Sequence, residues 1–347
     1  MGKVTIGDIR LAPPHFRYHQ TEMLEWLAHF HRCPPNYFHR YGCNPERIAS
    51  RGSVLADFGS QGRGQLYNAS EKDLRTSRRT QVFEECSQLY VDELYADEIN
   101  PPDHLFHVTC TGYSSPSAVQ RLVQKKNWDS ATTHCYHMGC YAALPATRLA
   151  EALVGNGLKR VDIVHTEFCT LHLNAEKLTP EQAVIQSLFA DGSVRYSVRS
   201  DGPGLQVLAI GERLLPDTDA LMSWKVGDYG AAMTLSRDVP DHLAQVVGPT
   251  VHELLHTHRL EIHDCLFAVH PGGPRIIDLI LDQLRLTKSQ VQHSVEILKN
   301  HGNMSSSTLP YIWKAIIDDD QIESQKPVVS IAFGPGLTFC WSLMRKQ

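Results

Sequence analysis

A strand, a tight polar turn and a helix follow one another repeatedly along this chain, and that order restricts the fold more than composition does. The pattern predicts strands at residues 4–11, 105–111, 130–136 and 161–168. Helices are predicted between them, over 21–32 (apolar stripe Met23, Leu24, Leu27, Phe30), 78–96, 116–126, 140–155 and 182–189. Hairpin-like strands follow at 193–197, 205–214 and 231–235. Alternation then resumes, with helices over 241–256, 275–284, 288–298 and 306–317, a strand over 265–269, and two closing strands around Phe333-Gly-Pro-Gly336. The polar, Gly-rich stretch Gly59 to Asn68 reads as a surface loop. The fold expected is α/β, in two halves of similar element order: residues 1–200 and residues 201–347.

At 347 residues, each half is long enough for a core of its own. A net charge of −5 gives no electrostatic case for nucleic acid or an anionic membrane. No apolar stretch approaches a membrane span, and the first residues lack a signal-peptide core, so a cytoplasmic location is expected. Asn68-Ala-Ser70 and Asn303-Met-Ser305 match the glycosylation pattern, which carries no meaning without a secretory route. The nine cysteines include no Cys-x-x-Cys and fit free thiols in a reducing compartment.

Chemistry concentrates at three places. In Met138-Gly-Cys140-Tyr-Ala-Ala, a cysteine lies between a strand and a helix, where helix N–H groups would favour thiolate. In Ala268-Val-His270-Pro-Gly-Gly-Pro274, a buried strand delivers a histidine at its carboxyl end. In Gly302-Asn303-Met-Ser-Ser306, an asparagine precedes another helix. Thiolate, imidazole and carboxamide together suit acyl transfer: Cys140 attacks a thioester, His270 pairs with the thiolate, and His270 with Asn303 stabilises a developing oxyanion. The same residues also fit a buried cysteine, a core histidine and a helix-capping asparagine. Val251-His252-Glu-Leu-Leu-His256 matches a helical zinc motif, but no third ligand stands at the expected positions, so no metal site is expected.

These three segments, with Phe333-Gly334-Pro335-Gly336, resemble the signature segments of chalcone-synthase-like enzymes, the type III polyketide synthases. The resemblance spans nearly the whole chain. It implies the thiolase-like five-layer αβαβα fold, a homodimer, and decarboxylative condensation of malonyl units onto a Cys140-bound acyl chain. No bound cofactor is implied; coenzyme A or phosphopantetheine thioesters are the substrates. Related chemistries stay open: the single condensation of a ketoacyl carrier-protein synthase III, or the joining of two carrier-bound β-ketoacyl chains into an α-pyrone.

By the same resemblance, Phe189 gates the pocket, Glu167 is a buried acid near the nucleophile, Ser305 belongs to the pocket, and Gly334, Pro335 and Gly336 shape its floor. Met233 stands where plant members have phenylalanine, and Cys110 where they have threonine, which puts aldol cyclisation in question. Ser115 replaces a methionine that reaches the partner's pocket. Of the positions for coenzyme A phosphates (His29, Arg32, Asn36), only Arg32 is basic. Delivery by an acidic acyl carrier protein is therefore expected, docked on Arg32, Arg40, Arg47 and Arg275.

Overall fold

The computed structural model describes residues 4–58, 64–67, 74–174 and 176–347. The first half runs β1 (Val4–Leu11), β2 (Phe16–His19), α1 (Gln20–Phe30), α2 (Tyr37–Tyr41), β3 (Ser50–Ser53), α3 (Thr76–Leu94), β4 (His104–Thr109) and α4 (Ala118–Lys126). It continues with β5 (Ala131–Tyr136), α5 (Ala143–Gly155), β6 (Arg160–Phe168), α6 (Pro180–Leu188) and β7 (Asp191–Arg199). The second half contains β8 (Leu205–Leu214), β9 (Met222–Gly227), β10 (Gly230–Leu235), α7 (Val239–Thr257), β11 (Leu266–Val269) and α8 (Pro274–Leu284). It ends with α9 (Gln292–His301), α10 (Thr308–Asp318), β12 (Pro327–Gly334) and β13 (Thr338–Lys346).

Nine strands form one sheet in the order β11-β12-β13-β8-β1-β7-β6-β4-β5. The antiparallel β1–β8 pair joins two runs of corresponding topology, β1-β7-β6-β4 and β8-β13-β12-β11. Each run begins with antiparallel neighbours and ends with a parallel pair, β4–β6 in one and β11–β12 in the other. β5 extends the first run and has no counterpart in the second.

Side chains alternate between the two faces of each strand. Ile163 of β6 packs in a central core with α5 and α10, while its neighbour Val164 packs outward with α3 and α4. Val328 of β12 joins the same central core, and Val329 faces outward toward α7 and α8. The layers are therefore α3/α4, strands, α5/α10, strands, α7/α8, as the sequence leads one to expect. Small residues on α5 (Ala143, Ala146, Ala150) let this central helix pack closely.

Two readings of local structure change. The expected surface loop over 59–68 lies partly outside the described residues, as does Asn68 of the glycosylation pattern. Its described part, however, is buried at Leu66 and Tyr67. The Asp57 carboxylate accepts the backbone N–H groups of Gln65, Leu66 and Tyr67, and the Tyr67 hydroxyl donates to the Thr170 carbonyl. The second change concerns the hairpin-like strands: residues 193–197 and 205–214 do not pair with each other but flank β1 in the main sheet, whereas residues 231–235 do form a hairpin, with β9.

β6 is held at its first residues by a buried ion cluster. The Arg195 guanidinium bridges Asp162 at 3.1 Å and Glu98 at 2.9 Å, and Tyr95 and Ser197 donate to Asp162 at 2.9 and 2.7 Å. Taking Asp162 away leaves the buried Arg195 without one of its three carboxylate partners, Asp8 being the third at 3.2 Å. Asp162→Ala is predicted to destabilise the protein by about 3–5 kcal/mol in denaturant unfolding, whereas an exposed pair such as Lys125–Asp92 contributes under about 1 kcal/mol.

Candidate active site

Cys140 sits in the turn between β5 and α5, three residues ahead of the first helical residue, Ala143. Gly139 takes φ +88°, a backbone conformation that favours glycine, and a Cβ there would lie 2.8 Å from Pro335. Across the same contact, a Cβ on Gly334 would run into the Tyr141 ring at 2.3 Å. Gly334 and Pro335 thus brace the turn that carries the cysteine, whereas Gly336 lies against Leu214 and Thr338. None of the three lines the cavity, which corrects the expectation that they form its floor.

His270 follows β11, its N–H donating to the Ile331 carbonyl at 2.7 Å. Asn303 stands between α9 and α10. Its backbone N–H donates to Leu188 O at 3.0 Å, and its carbonyl accepts from Ala190 N–H at 2.8 Å, so the segment holding Phe189 is bound to it. The Ser305 N–H donates to Asn303 Oδ1 at 2.8 Å, which orients the amide. By topology Cys140 and Asn303 are counterparts, each placed before a central helix.

Cys140, His270 and Asn303 line one cavity of about 740 Å³ with Phe189, Met233 and Phe333. Among the described residues, both buried His270 ring nitrogens make no hydrogen bond, and the buried Asn303 Nδ2 meets no acceptor in good geometry, its amide facing the Cys140 sulfur. Buried polar groups are rarely left so. Here they share the cavity with the sulfur.

Burial works against the expected thiolate–imidazolium pair. It pushes the Cys140 thiol up to about 12, with the Ser305 hydroxyl and Asn303 amide opposing that shift and Glu167 adding to it. Burial alone pushes His270 down to about 3. Desolvation thus disfavours charge on either group taken by itself.

Behind the sulfur lies a polar cluster that the cavity does not reach. Cys140 Sγ is 3.8 Å from Ser305 Oγ, which is 3.2 Å from Cys110 Sγ. Glu167 accepts from Cys110 N–H at 3.0 Å and from Thr111 Oγ1 at 3.2 Å, and the Ser306 hydroxyl also donates to it. Burial raises the Glu167 carboxyl above its ordinary value against these donors. The sequence reading placed Cys110 and Ser305 in the pocket without pairing them with Glu167. It missed Thr111 and Ser306, although the Thr109-Cys-Thr111 and Ser305-Ser-Ser307 runs were there to be weighed. Hydroxyls do stand beside Glu167, so the cysteine at 110 does not strip the site of them.

At the cavity mouth, Arg40, Arg47, Arg237 and Arg275 stand among the lining residues. Arg47 forms a two-pronged pair with Asp278 at 3.2 and 3.0 Å. Arg40, Arg237 and Arg275 make no ion pair among the described residues. Arg32 is exposed and does not line the cavity, whereas Arg237, which the sequence reading did not name, does. His252 and His256 are exposed on α7, and among the described residues no three His, Cys, Asp or Glu side chains cluster as metal ligands. No described helix is long and apolar enough to cross a membrane.

Residues 206–346 match the family described as chalcone and stilbene synthases, C-terminal domain. A chalcone synthase-type protein of Bacillus subtilis is 26% identical over 318 residues, covering 80% of this chain and 87% of that one. The 1,3,6,8-tetrahydroxynaphthalene synthase of Streptomyces griseus is 28% identical over 291 residues, covering 82% and 75%. Among solved structures, a polyketide synthase from the brown alga Ectocarpus siliculosus superimposes with a TM-score of 0.88 at 21% identity, covering 100% of this chain and 99% of that one. The architecture is thus the thiolase-like one of the condensing enzymes. By sequence, the chain is a homologue of the type III polyketide synthases of the chalcone and stilbene synthase family, which are acyl-transferring condensing enzymes.

The resting protonation states lead to a pH prediction. A thiol held near 12 is protonated at neutral pH, and its reactive fraction grows as pH rises. Alkylation of Cys140 by iodoacetamide, followed by peptide mass mapping, should accelerate steadily from about pH 7 to about pH 10. A rate already level at about pH 6 would instead reveal a resting thiolate–imidazolium pair.

Proposed function

We propose that the protein loads an acyl thioester onto Cys140 and extends it by decarboxylative Claisen condensation with a malonyl thioester, giving a β-ketoacyl, polyketide or pyrone product. The observation that carries this reading is the trio of unpartnered atoms, His270 Nδ1, His270 Nε2 and Asn303 Nδ2, buried in one cavity with the Cys140 sulfur. An imidazole with a free nitrogen accepts the thiol proton as sulfur attacks the thioester carbonyl. The departing thiolate of the carrier takes that proton back. A malonyl thioester then loses its carboxylate as carbon dioxide, and the bonding pair becomes an enolate whose oxygen accepts from His270 N–H and the Asn303 amide. The enolate carbon attacks the Cys140-bound carbonyl and expels the Cys140 thiolate. This chemistry calls for no resident metal or organic cofactor.

The mouth supports a phosphate-bearing thioester. Arg40, Arg237 and Arg275 are free to meet the phosphate of phosphopantetheine, whether it is carried by coenzyme A or by an acidic acyl carrier protein. We favour the carrier protein, because the arginines sit on the outer rim where a docked partner would meet them. Equal turnover of coenzyme A and carrier-bound thioesters at low concentration would contradict that choice. A homodimer is part of the proposal, supported by β5, which ends the sheet with one edge unpaired. Free thiols at all nine cysteines accord with a cytoplasmic setting.

Release of carbon dioxide from a malonyl thioester is the test. The wild-type protein should release it. Asn303→Ala should lower the rate about 100- to 1,000-fold, and His270→Ala about 100- to 10,000-fold. Condensation without carbon dioxide release would favour the joining of two complete β-ketoacyl chains instead.

A further inference from the structure

A helix leaves its last carbonyls without partners of its own. At the end of α6, beside the cavity wall, these belong to Gln186, Ser187, Leu188 and Phe189, and residues of other elements take all four. Arg51 Nη1 donates to Gln186 O at 2.8 Å and to Phe189 O at 2.7 Å. Gln20 Nε2 donates to Ser187 O at 2.8 Å, and Leu188 O accepts the Asn303 N–H.

Gln20, the first residue of α1 and fully buried, joins these contacts into one clamp. Its Oε1 accepts Arg51 Nε–H at 2.7 Å, which fixes the guanidinium that serves Gln186 and Phe189. Its Nε2 donates a second bond, to Cys43 O at 2.8 Å, and the Cys43 N–H donates to Ser187 Oγ at 2.8 Å. Cys43 lines the cavity, so its mouth is tied to the same helix end. Asn303 depends on that end too. Both of its backbone bonds run to the segment around Phe189, its N–H to Leu188 O and its carbonyl from Ala190 N–H. Arg51 also packs against the preceding Gly302, where a Cβ would stand 3.0 Å from Arg51 Cγ. The Ser305 N–H turns the Asn303 amide, and the helix end sets where that amide stands. Cys140 is braced elsewhere, by Gly334 and Pro335, and neither Gln20 nor Arg51 lines the cavity.

Resting on the reading in which Asn303 stabilises the malonyl-derived enolate, we propose that Gln20 is a positioning residue for decarboxylation: with Arg51 it holds the carbonyl end of α6 and thereby sets where the Asn303 amide meets the enolate oxygen. Gln20 touches no reacting atom. Loading of Cys140 uses the sulfur and His270, neither of which bonds to α6. The two half-reactions therefore respond differently when the clamp is loosened.

Gln20→Glu keeps an acceptor for Arg51 Nε–H and removes the two donated bonds. Two rates are read in the same preparation: carbon dioxide release from malonyl coenzyme A, and acylation of Cys140 by octanoyl coenzyme A followed by intact mass. Carbon dioxide release should fall about 10- to 100-fold, the scale of a small misplacement of a reacting group, while acylation keeps the wild-type rate. In an Asn303→Ala background the same substitution should cost little more, because the group it positions is gone. Equal loss in both rates, or a full further loss in the double variant, marks a merely structural role and overturns the proposal. Gln20→Met, read in the same way, decides the matter where Gln20→Glu fails to fold. Hydrogen exchange reads the clamp with no substrate present: residues 186–192 and 299–305 should lose protection together in the variant, and residues 138–144 should keep it. Unchanged protection at the first two segments overturns the clamp. If protection changes as expected but the wild-type protein releases no carbon dioxide, the clamp stands and it is the decarboxylative reading that falls.

Discussion

Two helices, α5 and α10, lie between the two runs of a single sheet, and their burial on both sides fixes where the chemistry sits. Each run leads its chain into the central layer through a turn at the same end of the strands. The turn before α5 carries Cys140, and the one before α10 carries Asn303. β11 brings His270 to that end as well. Because the layers pack to crystal-like density, these turns have little freedom to drift. Small residues make the approach possible: Gly139 under Pro335, and Gly334 under the Tyr141 ring.

The same burial sets the electrostatic terms of the site. At this depth of burial a thiolate and an imidazolium are each costly on their own. His270 and Asn303 carry polar atoms that no protein group satisfies, and a bound thioester oxygen would satisfy them. Glu167 is handled in the opposite way, with backbone, thiol and hydroxyl donors gathered around it behind the sulfur.

Much of this was legible in the sequence, for identifiable reasons. β12 is wholly buried and reads as a nearly continuous apolar run, and α8 and α10 are strongly one-sided. Cys140, His270 and Asn303 stood out because each ends a strand or loop just before a helix. What escaped depends on contacts between distant segments. Tyr67 is buried through a bond to Thr170, over a hundred residues away, and nothing near residue 67 announces it. Trp224 and His172 look like ordinary hairpin and turn residues until the fold brings them to Cys110 and Thr111. The helix-dipole argument for a Cys140 thiolate left out the depth of burial, which sequence does not give and which opposes charge on the sulfur. Arg237 was missed because it lies in the short segment between β10 and α7, far in sequence from the other arginines that line the cavity.

The account turns on which sulfur carries the acyl group, since Cys110 and Cys140 both contact Ser305. Brief exposure to an acyl thioester, acid quenching and peptide mapping by mass spectrometry addresses this directly. The account predicts the acyl mass on the Cys140 peptide and its absence in Cys140→Ala. Acylation retained in Cys140→Ala, or found first on Cys110, would contradict it.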